Sequence, residues 1–229
     1  MIYLLWPTVR PKVFIQTHNC WLNSCQNENR IVTKVAVNNP EQQALLDEYD
    51  VIISGEDRPG VCYPSYCLSS RLQAQDNDIV ILTSDDFFPP EHWDQYLLEQ
   101  FESFQGCLMV RDGFQNPDPQ KWVGPPALTI PIMTYGCLLK LNRLIYHPAY
   151  YHICSDLELY LNVQELGLLK DNRIKDHTTF EHRHWVVRKR TIDAADQRVR
   201  SLNNQDRHTF NLRKGLSLTE RLTVQDWSN

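Results

Sequence analysis

The chain has 229 residues, 42% of them apolar and 10% aromatic, which suits one α/β domain with a substantial core and excludes a disordered chain. No apolar run approaches the roughly 20 residues of a membrane-spanning helix, and the apolar start at residues 1–6 meets Pro7 and Arg10 without the basic stretch and cleavage site of a leader, so a cytoplasmic protein is expected. The net charge of −5 is uneven: from Lys170 onward 13 Lys/Arg face 8 Asp/Glu, while the remainder holds 10 against 20, so the last quarter is either a solvated surface or a face for an anion.

Residues 2–6 read as a short buried strand ended by Pro7. Pro11 suits the first turn of a helix, and Phe14, Thr17, His18, Trp21, Leu22 and Cys25 recur along one face of it. Residues 31–37 are β-branched and predict a second strand. Asn39-Pro40-Glu41-Gln42 offers an N-cap, a first-turn Pro and a capping Gln, which predicts a helix to about Tyr49. Residues 51–53 are a third strand, and 63–75 hold a helix. Residues 78–83 are apolar and predict a central fourth strand. Pro89-Pro90 opens a helix with Trp93, Leu97, Phe101 and Phe104 on one face, and 107–110 is a further strand. This alternation predicts a mostly parallel, Rossmann-like sheet flanked by helices in a single domain. In the less regular second half, 129–134 is expected as a strand, 155–166 as a helix and 179–187 as a strand. The domain is expected to cover 1–192, with 193–229 a polar, basic extension packed on it as a lid or arm. The seven cysteines are scattered with no CxxC pair and read as reduced thiols.

The central strand ends in Asp85 and Asp86. Ligands of open α/β sheets gather outside the carboxyl ends of strands. A carboxylate pair there can hold a Mg²⁺ or Mn²⁺ against a diphosphate, or merely cap a helix or turn. Ser155-Asp156-Leu157-Glu158 is a capping-box pattern that places Asp156 in the first turn of a helix. If 180–185 is extended, His182 and His184 share one face. Arg183, Arg188, Lys189 and Arg190 surround them with positive charge.

Three of these segments, in this order, resemble the inverting, family-two type of GT-A glycosyltransferase: LLWPTVRP at 4–11, VAVNN at 35–39 and TSDDF at 83–87. The resemblance spans about residues 1–187. It implies that Pro7, Thr8, Arg10 and Asn38 line a nucleotide pocket, that Asp85 faces the ribose or the metal's water, and that Asp86 ligates a Mn²⁺ or Mg²⁺. Ser84 stands where a full Asp-x-Asp motif has its first acid. It further implies that Asp156, or failing it Glu158, is the general base toward an acceptor hydroxyl, that His182 or His184 completes the metal's coordination, and that Arg183 meets the diphosphate. The expected donor is a nucleotide-sugar, with a UDP-sugar as first choice. SDDFFPPEHWD and the aromatic run YHPAYY before SDLEL resemble small bacteriophage glycosyltransferases, some of which modify hydroxymethylated bases of viral DNA. The acceptor is therefore a saccharide or, as the lesser alternative, DNA. The rival readings are a sugar-phosphate nucleotidyltransferase, which PTVRP disfavours by lacking a glycine-rich loop, and a non-catalytic nucleotide-sugar-binding module.

Overall fold

The computed structural model describes residues 1–113, 115, 126–174, 178–183 and 191–224. The first half contains β1 (Ile2–Pro7), α1 (Pro11–Asn23), β2 (Ile31–Val37), α2 (Pro40–Gln43), β3 (Asp50–Ile53), α3 (Cys62–Arg71), β4 (Ile79–Leu82), β5 (Phe87–Phe88) and α4 (Trp93–Phe101). The second contains β6 (Cys107–Met109), β7 (Ile132–Thr134), α5 (Tyr135–Lys140), α6 (Ser155–Glu165), β8 (Leu169–Asp171), β9 (Glu181–His182), α7 (Ala194–Arg200), α8 (Asn203–Arg213) and α9 (Leu218–Arg221). Seven strands form one sheet in the order β3-β2-β1-β4-β7-β6-β8. Within it β1 to β4 are parallel, β7 is antiparallel to both its neighbours, and β6 pairs parallel with β8.

β1 and β4 lie at the middle of this sheet and are buried on both faces, which is why they read as unbroken apolar runs. Alternation sorts their side chains. Ile2, Leu4, Trp6, Ile79 and Ile81 enter one core with Phe14 and Trp21 of α1 and Trp93 of α4. Leu5, Val80 and Leu82 enter the other with Leu68 of α3, Leu138 of α5 and Leu159 of α6. His18, on the buried face of α1, stacks on Phe14 and bonds Thr33 and Tyr49. Burial lowers its pKa to about 4, so it is a neutral core residue.

Several boundaries differ from the sequence reading. The helix at Pro40 ends at Gln43 rather than near Tyr49. The N–H groups of Leu45 and Leu46 turn to carbonyls three residues back, which tightens the chain before β3. α3 stops at Arg71 because Leu72 is extended. No helix follows the acidic pair directly: Phe87–Phe88 pairs antiparallel with Glu181–His182 in a separate two-stranded ribbon, and α4 starts only at Trp93. Of the strand expected over 179–187, residues 181–182 are extended as β9 and 184–190 lie outside the described residues.

The C-terminal segment is bound to α6 by buried polar bonds. Arg213 of α8 donates to both carboxylate oxygens of Glu158, at 2.8 and 2.9 Å. Arg221 donates to Asn162 and Glu165 of the same helix. Asp206, fully buried, accepts the backbone N–H groups of Tyr151, His152 and Ile153 at 2.8, 2.8 and 2.9 Å. Part of the basic excess of the last quarter is thus engaged inside the molecule.

The loop that Asp206 holds is also gripped from its other side. The Tyr151 carbonyl accepts the N–H groups of Val61 and Cys62. Gly60 permits this approach: its φ is +100°, and a Cβ there would lie 2.0 Å from the Tyr151 oxygen. A left-handed backbone in a non-glycine residue costs about 1–3 kcal/mol, and the clash with a backbone atom adds to it. Gly60→Ala is therefore expected to destabilise by more than about 3 kcal/mol. Scanning calorimetry should show a melting temperature lower by about 6 °C or more; an unchanged melting temperature would contradict this packing.

Candidate functional site

A cleft of about 710 Å³ opens at the carboxyl ends of β1, β2 and β4, where open parallel sheets place their ligands. Its volume is that of a site for a nucleotide-sized ligand. Pro7, Thr8 and Arg10 line it from the end of β1, Asn38 from the end of β2, and Ser84, Asp85 and Asp86 from the end of β4.

Asp85, at the wall of the cleft, is held by side chains of the β1 segment. It is 5% exposed. One carboxylate oxygen accepts the Trp6 indole N–H at 3.0 Å, and the other accepts the Thr8 hydroxyl at 2.9 Å and Arg10 Nε at 3.1 Å. Its backbone carbonyl accepts the Thr17 hydroxyl at 2.9 Å, and the next-but-one carbonyl, of Phe87, accepts the Trp21 indole N–H. Burial raises the Asp85 pKa to about 6, against the opposing pull of Arg10, Thr8 and Trp6, so the carboxylate remains ionised at neutral pH. Thr8 in turn accepts the Arg10 N–H at 2.9 Å. The Pro-Thr segment and Asp85 therefore form one unit that shapes the loop after β1. These contacts engage both oxygens of the Asp85 carboxylate.

Asp86 lines the same cleft and is engaged by different partners. One oxygen accepts the Ser84 hydroxyl at 2.6 Å, and the other lies 3.5 Å from His182 Nε2. The β5–β9 ribbon makes this meeting: Phe87 pairs with His182, the Arg183 N–H donates to the Asp86 carbonyl at 2.7 Å, and the imidazole stacks on Phe87 at 4.1 Å. One carboxylate and one imidazole fit a cation that takes its remaining ligands from water and diphosphate oxygens. Among the described residues no group of three or more His, Cys, Asp or Glu makes a cage by itself. His184, the alternative imidazole, lies outside the described residues, as do Arg188, Lys189 and Arg190. Arg183 does not line the cleft; it stacks on Phe88 at 3.8 Å and pairs with Glu181.

Asp156 lies in the cleft at the start of α6, after a left-handed Cys154. The carboxylate accepts the Leu157 N–H at 3.0 Å. It keeps some contact with solvent through the cleft, yet burial raises its pKa to about 6, against the opposing pull of local backbone N–H groups and His182. Glu158, the other carboxylate of that turn, is not in the cleft. It is 2% exposed, clamped by Arg213 and by the Tyr150 hydroxyl at 2.8 Å, and acts in packing.

Asn38 is buried at the cleft wall, its side-chain oxygen 3.4 Å from the Ser54 hydroxyl and its N–H bonded to Gln42 Oε1. The capping Gln42 thus reaches the residue before the N-cap. Other cleft residues have no counterpart in the sequence reading: Thr129, His152, and Asp196 and Arg198 of α7. The α7 start was legible in principle, since Asp193 and Asp196 form a reciprocal capping box. Arg10 also bonds Asp193 at 2.9 Å, which joins α7 to the β1 loop.

No protein-family model matches the chain, and no curated protein sequence matches it. Solved structures do. S. aureus TarS 1-349 aligns with a TM-score of 0.55 at 12% identity over 79% of this chain and 60% of that one. Mannosyltransferase PcManGT from Pyrobaculum calidifontis, solved with GDP-Man and Mn²⁺, gives 0.62 at 9% identity over 96% and 67%. Glucosyl-3-phosphoglycerate synthase from Mycobacterium tuberculosis, with Mn²⁺, UDP and phosphoglyceric acid, gives 0.55 at 11% identity over 99% and 80%. The chain has the GT-A fold expected from its sequence; at these identities the likeness is one of fold. It spans 60% of the length of TarS 1-349.

Proposed function

We propose that the cleft is the site of an inverting glycosyltransferase that moves a sugar from a nucleotide-sugar to a hydroxyl acceptor. The observation that carries this reading is the placing of Asp86–His182 and Asp156 in one cleft, with Asp156 near enough for His182 to influence its ionisation. The neighbours of this fold named above were solved with GDP-Man or UDP and with Mn²⁺, and another TarS structure holds UDP-GlcNAc.

On this reading the β1 loop and Asn38 take the nucleoside, with a UDP-sugar the first donor to try. Asp86 and His182 would hold a Mn²⁺ or Mg²⁺, which when bound supplies positive charge to the leaving diphosphate. Asp156 removes the proton of the acceptor hydroxyl. Its oxygen forms the new bond to the anomeric carbon as the bond to the diphosphate breaks on the opposite face, and the configuration inverts. A base with a pKa of about 6 is ionised at neutral pH yet still basic enough to accept that proton. A saccharide is favoured over DNA as acceptor, because Arg213 and Arg221 of the basic last quarter are themselves largely buried and paired with Glu158 and Glu165.

The test is a melting-temperature panel of UDP-, GDP-, CDP- and dTDP-sugars with and without Mn²⁺ or Mg²⁺. A ligand at 100 times its Kd stabilises by about 2.7 kcal/mol, which for this size raises the melting temperature by roughly 5–10 °C. At least one nucleotide-sugar should do so with the cation present. A panel with no shift would sink the reading. Activity on DNA falling steeply with salt, in place of activity on sugars, would move the acceptor to DNA.

A further inference from the structure

His152 has no part in the chemistry described so far. It lines the cleft from the loop that leads into α6, four residues before Asp156. Its backbone is fixed from three directions. Its N–H and those of both neighbours donate to buried Asp206. Its carbonyl accepts the Ser155 hydroxyl, and the adjacent Tyr151 carbonyl accepts the Val61 N–H. The ring, by contrast, makes no hydrogen bond among the described residues. A half-buried imidazole that lines the cleft on a backbone held this firmly, with no hydrogen bond to its ring among the described residues, is available to a ligand there.

Its place indicates which part of the ligand. The sugar of a nucleotide-sugar must lie between the diphosphate and the general base Asp156, because the acceptor oxygen attacks the anomeric carbon opposite the leaving group. His152 is within electrostatic reach of Asp86, Asp196 and His182, and it sits on the same loop and helix start as Asp156. Burial holds its pKa below the ordinary value in spite of those carboxylates and Asp206. The neutral ring offers one N–H and one lone pair, which matches a hydroxyl that both donates and accepts.

We propose that His152 is a specificity-determining residue that hydrogen-bonds a ring hydroxyl of the transferred sugar while it is still on the donor; this rests on the nucleotide-sugar reading of the cleft. The test uses the full chain with His152→Ala and His152→Gln, and titration calorimetry with Mn²⁺. The probes are UDP with UDP-GlcNAc, GDP with GDP-mannose, and monodeoxy analogues of the sugar that binds. His152→Ala should weaken the nucleotide-sugar roughly five- to tenfold and leave the nucleoside diphosphate unchanged. One monodeoxy analogue should bind the wild type and this variant equally, which a purely structural role would not produce. His152→Gln keeps a side-chain donor and acceptor, should recover part of the loss, and carries the test if the alanine variant unfolds. Equal weakening of nucleoside diphosphate and nucleotide-sugar, no weakening, or a change confined to the acceptor KM overturns the proposal and leaves the donor reading standing. A wild type that binds none of the nucleotides overturns both.

Discussion

Asp156→Asn is expected to lose about a thousandfold in kcat, keep its affinity for the nucleotide-sugar, and melt at a higher temperature than the wild type. The rate loss follows from the role: a positioned general base contributes typically 10²–10⁴-fold, and an amide of the same shape cannot take the proton. Affinity is retained because the nucleotide end of the cleft is built by other segments, at β1, β2 and β4. The stability gain follows from linkage. The carboxyl ionises at about 6 in the folded protein and near 3.9 when unfolded. Below pH 4 both states hold the proton and the group has no effect. Between pH 4 and 6 the unfolded state releases it first, so folded stability falls as pH rises, and above pH 6 the penalty is constant. A two-unit shift is at most about 3 kcal/mol, and partial contact with solvent reduces it to about 1–2 kcal/mol. Asn removes that penalty, worth roughly 2–8 °C in melting temperature. The pH profile gives a second check. Wild-type kcat/KM should fall below an apparent pKa near 6, and the residual activity of the variant should lose that limb. Burial raises the Asp85 pKa to about 6 as well, so a limb that persists in the variant does not report Asp156. A variant with more than a tenth of wild-type kcat would remove Asp156 from the mechanism.

How much of this site could be read from the sequence depended on how far apart the interacting residues lie. β1, β2 and β4 were legible because strands buried on both faces have a composition of their own, and α1 because its apolar face repeats locally. The likeness of three short segments then pointed to Asp86 and Asp156. Asp85 could not be placed this way: the side chains that claim it, Trp6 and Thr8, are 79 and 77 residues away, and only the β1–β4 pairing brings them together. Glu158 was separable from Asp156 in one respect. Residues i and i+2 of a helix point to different faces, so one cleft could not use both. Its partner Arg213 is 55 residues on, in a segment whose polar composition hid three helices. That composition reflects an ion pair made inward, Arg213 to Glu158, and the burial of Arg221 against Asn162 and Glu165, and hydropathy alone reads such residues as surface. The His182–Asp86 meeting depends on a two-residue ribbon too short to show a strand pattern.

Asp85 and Asp86 are adjacent in sequence but oppositely engaged, so their substitutions should fail in opposite ways. Asp86→Ala removes the carboxylate that lines the cleft beside His182. Mutating groups that only orient a metal ligand already costs 10–100-fold in affinity. Loss of the ligand itself should therefore reduce Mn²⁺-dependent binding of a nucleoside diphosphate by at least about 100-fold. Binding without the cation should change little. Asp85→Asn should do the reverse. It replaces a buried oxygen that accepts from Trp6, Thr8 or Arg10 with an N–H₂ group facing a donor, and leaves the Arg10 contact without its charge. The lost bonds cost about 2–3 kcal/mol, since Arg10 keeps partial solvation and its second bond to Asp193; removing the burial penalty on the ionised carboxylate offsets part of this, leaving a net loss of about 1 kcal/mol. The cation should still enhance binding in that variant, on top of weaker nucleotide affinity from the loosened β1 loop. Calorimetry with and without Mn²⁺, together with melting curves, separates the two. If Asp86→Ala retains the full cation enhancement and Asp85→Asn abolishes it, the roles of the pair are exchanged and His182 has no cation to share.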